Sequence, residues 1–201
     1  MTKKRLIVGF SGATGVIYGI RLLEVLREVE DIETHLVLSN AARQTILMET
    51  DFTVEEVEAL ADYSHRFGDI AASISSGSFK TIGMIVIPCS MKTLAGIALS
   101  FSENLLLRAA DVVLKDHRRL VLVPRETPLH IGHLRHMLRV AEMGAIIVPP
   151  MPAFYHRPKT LDDIVNQTVN RVLDLMDIEL PRDLFERWSG GQAAIEARKQ
   201  E

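Results

Sequence analysis

A single cysteine, Cys89, stands among the 201 residues, so no disulfide can form within the chain and a reducing, cytoplasmic setting is expected. Long apolar runs are missing too: none approaches the ~20 residues that a membrane-spanning helix requires. The opening MTKKRLIVGF places basic residues before apolar ones, as a secretory leader does. Its apolar run breaks at Ser11-Gly12 and reaches Arg21 without a small-residue cleavage site, so it reads as a first strand. A basic excess is also lacking, with 23 Lys and Arg against 26 Asp and Glu and a formal net charge of −3. Nucleic acid and acidic membrane surfaces call for a basic face, so the expected ligand is a small molecule. Repeats and low-complexity linkers are absent, and 47% hydrophobic residues over this length suffice for one core. The expected organisation is one domain over 1–181 and a polar tail over 182–201, which contains Trp188 and docks on a neighbour or frays.

What is present is an alternation of short apolar runs with longer segments of helical period. Strand 5–10 precedes helix 16–28, and strand 34–38 precedes helix 41–50. The acidic stretch 51–69 reads as surface helix and loop. A third strand, 84–87, is closed by Pro88; helical segments follow near 93–98 and 104–116. Strand 120–123, helix 134–143 ended by Gly144, strand 145–148 and helix 161–175 complete the order. Five nearly continuous apolar strands joined by helical crossovers predict an α/β fold with a mostly parallel, helix-covered sheet, whose ligand site lies at the carboxyl ends of the strands.

The first such end is IVGFSGATG, residues 7 to 15. Gly12 and Gly15 are candidates for φ > 0, and the N–H groups of Ala13, Thr14 and Gly15 for holding an anion at the start of a helix. The alternative is a plain strand-to-helix turn. A dinucleotide site would show GxGxxG here and an acidic residue about 20 positions later. Phe10 stands where the leading glycine should be, and Leu38-Ser39-Asn40 offers no carboxylate. A mononucleotide such as FMN remains compatible, with Ser39 and the turn Ser90, Met91, Lys92 and Thr93 lending hydroxyls and N–H groups; these residues serve equally as helix caps.

Cations form a second constellation. Arg108 and Lys115, seven apart in a helical segment, share a face ~10 Å long, with Asp111 on the same side; they converge on a polyanion or form a solvated face with an Arg108–Asp111 pair. Arg125 and Glu126 follow a buried strand, where a parallel sheet delivers ligand-facing groups. The proline-rich loop after the last strand presents Tyr155, His156 and Arg157. Arg171, in the final helix, joins the cations if it faces inward. His130, His133 and His136 fan over ~120° of a helix and make no compact metal site. Cys89 reads as a packing thiol, since no histidine neighbours it in sequence.

The motifs SGATG, SGSF, PCSMKTLAGIA, NLLLRAADVVLK, LVPRETPL and PAFYHRPKTLDDIV, with NRVLD in the last helix, resemble the UbiX-like flavin prenyltransferase family over about residues 5–175. That family includes the subgroup described as the B subunit of phenolic or hydroxyarylic acid decarboxylases. The resemblance implies a Rossmann-like, flavodoxin-type domain that binds reduced FMN and dimethylallyl phosphate or diphosphate. It implies transfer of the prenyl group to N5 and C6 of the flavin, without a metal, giving prenylated FMN for a UbiD-type decarboxylase. It also implies a homo-oligomer, often a dodecamer, with sites between subunits. By motif position, Gly12, Ala13, Thr14, Ser39, Ser90, Met91, Lys92, Thr93 and Arg125 match its FMN-binding places. Ser76, Gly77, Arg108, Lys115, Glu126, Tyr155 and Arg171 match its prenyl-phosphate and catalytic places, and Glu49 its acidic residue near the flavin. Thr14 stands where the family commonly has serine. Trp188 and Phe79 are the candidates for an aromatic residue over the prenyl group. A non-catalytic flavin carrier and a flavoprotein cysteine decarboxylase are the competing readings; PCSMKT and PRETPL fit the latter poorly.

Overall fold

The computed structural model describes residues 3–188, 190 and 191. Its first strand, β1 (Lys4–Phe10), enters α1 (Val16–Leu26), then β2 (Ile32–Leu38), α2 (Asn40–Glu49), α3 (Val54–Glu58) and β3 (Tyr63–His65). A 3₁₀ turn at Ser73–Ser75 leads to β4 (Gly83–Cys89), α4 (Met91–Ala98), α5 (Leu105–Lys115), β5 (Arg119–Pro124), α6 (Ile131–Glu142), β6 (Ile146–Ile147) and α7 (Leu161–Leu175). All neighbouring strands pair in parallel, in the order β3-β2-β1-β4-β5-β6. This is the doubly wound order 3-2-1-4-5-6; without the three-residue edge strand β3 it becomes the flavodoxin order, the type that the family resemblance implies.

Alternation along the central strands divides the core. Leu6, Val8 and Phe10 of β1, with Ile85, Ile87, Val121 and Val123, face α1, α2 and α7. Ile7, Met84, Val86, Leu120 and Leu122 face α4 and α5, with Val140 of α6. Both faces are covered, so β1, β4 and β5 are buried almost throughout, and a residue's face is set by its parity in the strand.

Four expectations change. The stretch 51–69 contains β3, whose residues Tyr-Ser-His carry no apolar alternation and become a strand only by pairing with His35, Leu36 and Val37 of β2. Pro88 lies within β4, not beyond it; the pairing of β4 with β5 is irregular between Val86 and Cys89, where the absent N–H of proline breaks no regular ladder. Helix α6 begins three residues early because His130 acts as its cap, Nδ1 accepting the Gly132 N–H at 3.0 Å. Of the polar tail, residues 182–188 dock on α7 of the same chain. The Leu184 N–H donates to Asn170 Oδ1 at 2.8 Å, its side chain packs against the core, and Arg187 pairs with Asp174 and Asp183. Residues 189 and 192–201 lie outside the described residues.

Candidate functional site

The carboxyl ends of β1 and β4 meet where the strand order reverses, and the buried Ser11 joins them. Its N–H and its hydroxyl both donate to Pro88 O at 3.1 Å, while its Oγ accepts the Ser90 N–H at 2.7 Å. The Ser39 N–H donates to Phe10 O at 3.0 Å and the Arg125 N–H to Cys89 O at 3.2 Å, so the ends of β2 and β5 close on the same point. Ser11 was not among the expected site residues; a hydroxyl directly after a buried run and before glycine was the signal for it.

Gly15 takes φ 94°, as expected, whereas Gly12 is not in the positive-φ region. Gly12 is required for space, since a Cβ there would stand 2.3 Å from Ala41 Cβ of α2. Two of the three N–H groups expected to hold an anion are engaged within the protein instead: that of Ala13 turns back onto Ser11 O at 2.8 Å, and that of Gly15 donates to Glu49 Oε2 at 2.8 Å, which brings Glu49 from the end of α2 onto the same loop. Ser39 and Ser90 cap α2 and α4, accepting from the Ala42 N–H at 3.0 Å and the Thr93 N–H at 3.2 Å. Met91 is buried and its side chain packs into the core, away from the place expected for it.

Above this junction opens a cleft of about 710 Å³. Gly12, Ser39, Ser90, Lys92 and Thr93 form its polar end, and Phe67, Leu99, Phe101 and Leu107 an apolar wall that sequence reading did not anticipate. A polar nest beside an apolar slot suits a flat ring that carries a phosphate. Arg125 and Glu126 follow β5, and neither lines this cleft, although the Arg125 N–H meets Cys89 O next to Ser90; the Glu126 carboxylate accepts the Thr127 N–H at 3.0 Å. A wider cleft of about 1070 Å³ lies at the opposite, amino edge of the sheet, lined by Lys4, Arg118, Arg119 and Asp177, and brings together none of the expected residues.

The expected cations fall into two groups. On α5, Arg108 donates from Nε to Ser75 O at 3.1 Å and from Nη1 to Asp111 at 2.9 Å, while Lys115 pairs with Asp116 at 2.8 Å. Arg118, unforeseen, donates to Gly77 O at 2.6 Å. Gly77 lies so close that a Cβ would stand 2.9 Å from Lys115 Nζ and 2.6 Å from Asp116 Oδ2. Ser76, Gly77, Arg108 and Lys115 therefore share one surface. Tyr155 and Arg171 belong to the other face of the sheet, with α7. The Tyr155 hydroxyl accepts from Gln167 Nε2 at 3.4 Å, and Trp188 meets its ring edge-on at 5.9 Å. Arg171 faces outward and pairs with Asp174 at 3.2 Å, contrary to an inward orientation. Phe79 instead meets His35 edge-on, so of the two expected aromatic residues only Trp188 lies beside Tyr155, together with Phe185, which sequence reading did not single out.

One chain thus does not gather all these cations around its own cleft. Lys115 ends α5 ahead of the amino end of β5, whereas Arg125 follows its carboxyl end, and the six residues of that strand span about 20 Å at ~3.3 Å per residue. Cys89 is fully buried, and burial pushes its thiol up to about 12. Iodoacetamide at neutral pH is accordingly expected to leave the folded protein unlabelled and to label it after unfolding; labelling of the native chain would contradict a packing role. Among the described residues no three His, Cys, Asp or Glu side chains are grouped to hold a metal, and no helix is long and apolar enough to cross a membrane.

Residues 1–173 match the Flavoprotein family model. The chain is 68% identical to the flavin prenyltransferase UbiX of Escherichia coli (strain K12) over 187 residues, which cover 93% of this chain and 99% of that protein. Its structure is similar to that of a dodecameric FMN-dependent UbiX-like decarboxylase from Escherichia coli O157:H7, with a TM-score of 0.89 and 57% identity over 93% of this chain and 100% of the other. It is similar also to AnUbiX (PadA1) in complex with FMN and dimethylallyl pyrophosphate, with a TM-score of 0.91 and 52% identity over 94% of this chain and 99% of that one.

Proposed function

We propose, for a chain that belongs to the UbiX-like flavin prenyltransferase family and is an enzyme of prenyl transfer, that reduced FMN lies in the cleft above β1, β2 and β4 and receives a dimethylallyl group from its phosphate ester. The observation that carries this reading is the junction at the strand switch, where Gly12 has no room for a side chain and hydroxyls cap two helices around a polar nest. Gly12, Ala13, Thr14, Ser39, Ser90, Lys92, Thr93, the Met91 backbone and Arg125 hold the flavin's phosphate and polar edge. Phe67, Leu99, Phe101 and Leu107 hold its ring and exclude water.

Over the reaction the allylic C–O bond breaks and its electron pair leaves on the phosphate. N5 and C6 of the flavin each exchange a hydrogen for a carbon of the prenyl group, while the prenyl double bond takes up one proton. Cations and hydroxyls on the leaving phosphate favour that ionisation, the role assigned to Ser76, Gly77, Arg108, Lys115, Tyr155 and Arg171. Because these residues occupy two faces of one chain, a neighbouring copy completes the site. Exposed apolar side chains support such assembly: Leu161 is 80% exposed, Met48 75% and Phe154 72%. A dodecamer, as in the E. coli relative, is the proposed form.

Glu126 carries the proton between the flavin and the leaving phosphate, and Glu49 stands against the flavin near Gly15. Glu126→Gln is expected to lower turnover by about 10²-fold with FMN binding intact; an unchanged rate in a steady-state assay removes that role. Prenylated FMN passes to a UbiD-type decarboxylase, and the single buried thiol suits work in the cytoplasm. The deciding experiment is anaerobic incubation with reduced FMN and dimethylallyl phosphate or pyrophosphate, followed by mass spectrometry. A flavin heavier by one prenyl unit supports transfer, whereas tightly bound but unmodified FMN makes the protein a carrier.

A further inference from the structure

Beside the flavin cleft, at the β2–β3 edge of the sheet, lies a polar group with no part in the chemistry so far. Glu33 and His35 of β2 share the face of Val37. His35 is buried, yet both ring nitrogens are engaged: Nε2 lies 3.0 Å from Glu33 Oε1, and Nδ1 lies 3.0 Å from His65 Nε2. Tyr63 stacks on the His35 ring at 4.9 Å, and Phe79 meets it edge-on at 5.1 Å. Glu33 also accepts from Arg5 Nε at 2.9 Å, and the Arg5 guanidinium lies 4.4 Å from the Phe79 ring centre. An ionised carboxylate only accepts, so His35 carries its hydrogen on Nε2 and its Nδ1 accepts from the His65 Nε2–H.

Both ends of the segment between His65 and Phe79 are therefore pinned to one imidazole. Just beyond His65, Phe67 and Gly68 line the cleft, and the Phe67 carbonyl accepts the Leu105 N–H at 3.0 Å. Just before Phe79 comes the turn with Ser76 and Gly77. We propose that the Glu33–His35–His65 relay positions this segment for prenyl transfer, holding the cleft wall at Phe67–Gly68 and the phosphate-binding turn at Ser76–Gly77 in one arrangement. The inference rests on the assignment of those two places given under the proposed function. The three residues touch no substrate and act as positioning residues.

The relay has a pH signature. It holds with both rings neutral or with one extra proton, but a second proton sets two N–H groups face to face at 3.0 Å. Burial lowers both imidazoles, and the nearby His35 lowers His65 further; Glu33 and Asp62 favour charge on His35, Asp69 favours it on His65, and Arg5 opposes it on His35. The closed arrangement thus binds fewer protons than an open one. Its stability is complete above the ordinary histidine value of 6.5 and declines as pH falls through the depressed values.

The test uses the full-length protein with His65→Gln, which keeps an N–H donor but cannot charge, and His65→Phe, which keeps a ring but no donor. At pH 7.5 the Phe variant is expected to raise the KM for dimethylallyl phosphate about tenfold with a smaller change in kcat, while the Gln variant stays near wild type. Towards about pH 5.5 the wild-type KM rises and that of the Gln variant does not. Amide hydrogen exchange over 65–79 is expected to quicken in the Phe variant at pH 7.5 and in the wild type at the lower pH. Wild-type KM and exchange in the Phe variant, or a wild-type pH profile in the Gln variant, overturns the proposal. If no form of the protein transfers prenyl groups, the functional reading fails while exchange still decides the relay.

Discussion

Gly12→Val is expected to abolish flavin binding. A single Cβ at this position already stands 2.3 Å from Ala41 Cβ, and both atoms belong to short side chains with nowhere to swing. Either β1's outgoing loop or the start of α2 must move, and Ser39, which caps α2 and ties β2 to Phe10, moves with it. Overpacking of this kind costs about 1–3 kcal/mol of stability. In a chain of this size each kcal/mol lowers the melting temperature by about 2–4 °C. The loss of function comes in addition, because misplacing a bound reactant by about 1 Å forfeits some 10²-fold in rate. Fluorescence titration of FMN beside a thermal melt separates the two. A variant that melts lower but binds FMN with wild-type affinity would show that the loop is not the phosphate nest. Gly12→Ala supplies the same comparison should the valine variant fail to fold.

A second large effect follows from the separation of the cations. Arg108→Ala and Lys115→Ala are each expected to lower the transfer rate by 10²–10³-fold, the magnitude typical of removing one preorganised charge from a transition state. FMN affinity should change far less, since neither residue lines the cleft of its own chain. The more telling result comes from co-expressing a Gly12 variant with a Lys115 variant. Neither alone is active, yet in mixed assemblies the intact cleft of one chain meets the intact α5 surface of another. Regained production of prenylated FMN in mixed oligomers, measured by mass spectrometry, would confirm sites shared between copies. Mixed oligomers as inactive as either parent would show that each chain works with its own Lys115.

Much of this arrangement was legible in the sequence because parallel strands covered on both faces are nearly continuous apolar runs. Helix α7 matches its expected range of 161–175, and Thr160 caps it as a Ser or Thr before such a run should. The glycine-rich first turn and the Ser90 turn were readable for the same reason, since strand ends in such a sheet collect ligand groups. β3 was hidden because three polar residues become a strand only when β2 lies beside them. The reason for Gly12 was also hidden, for φ can be guessed from a motif while the approach of Ala41 cannot. Spacing told that Arg108 and Lys115 share one helix face but not that α5 and α7 lie on opposite sides of the sheet. Contacts between distant segments, such as Glu49 with the Gly15 N–H and Arg118 with Gly77 O, leave no local pattern at all.

The sheet ends in strands of three and two residues, β3 and β6. A free edge invites another chain to add a strand, and repetition of that pairing builds open ribbons and fibres. Edges this short offer too few N–H and C=O groups to template such growth. A closed assembly of this chain would then have to form through its helices and loops, where side-chain shape fixes the angle between neighbours and a ring or shell can close on itself.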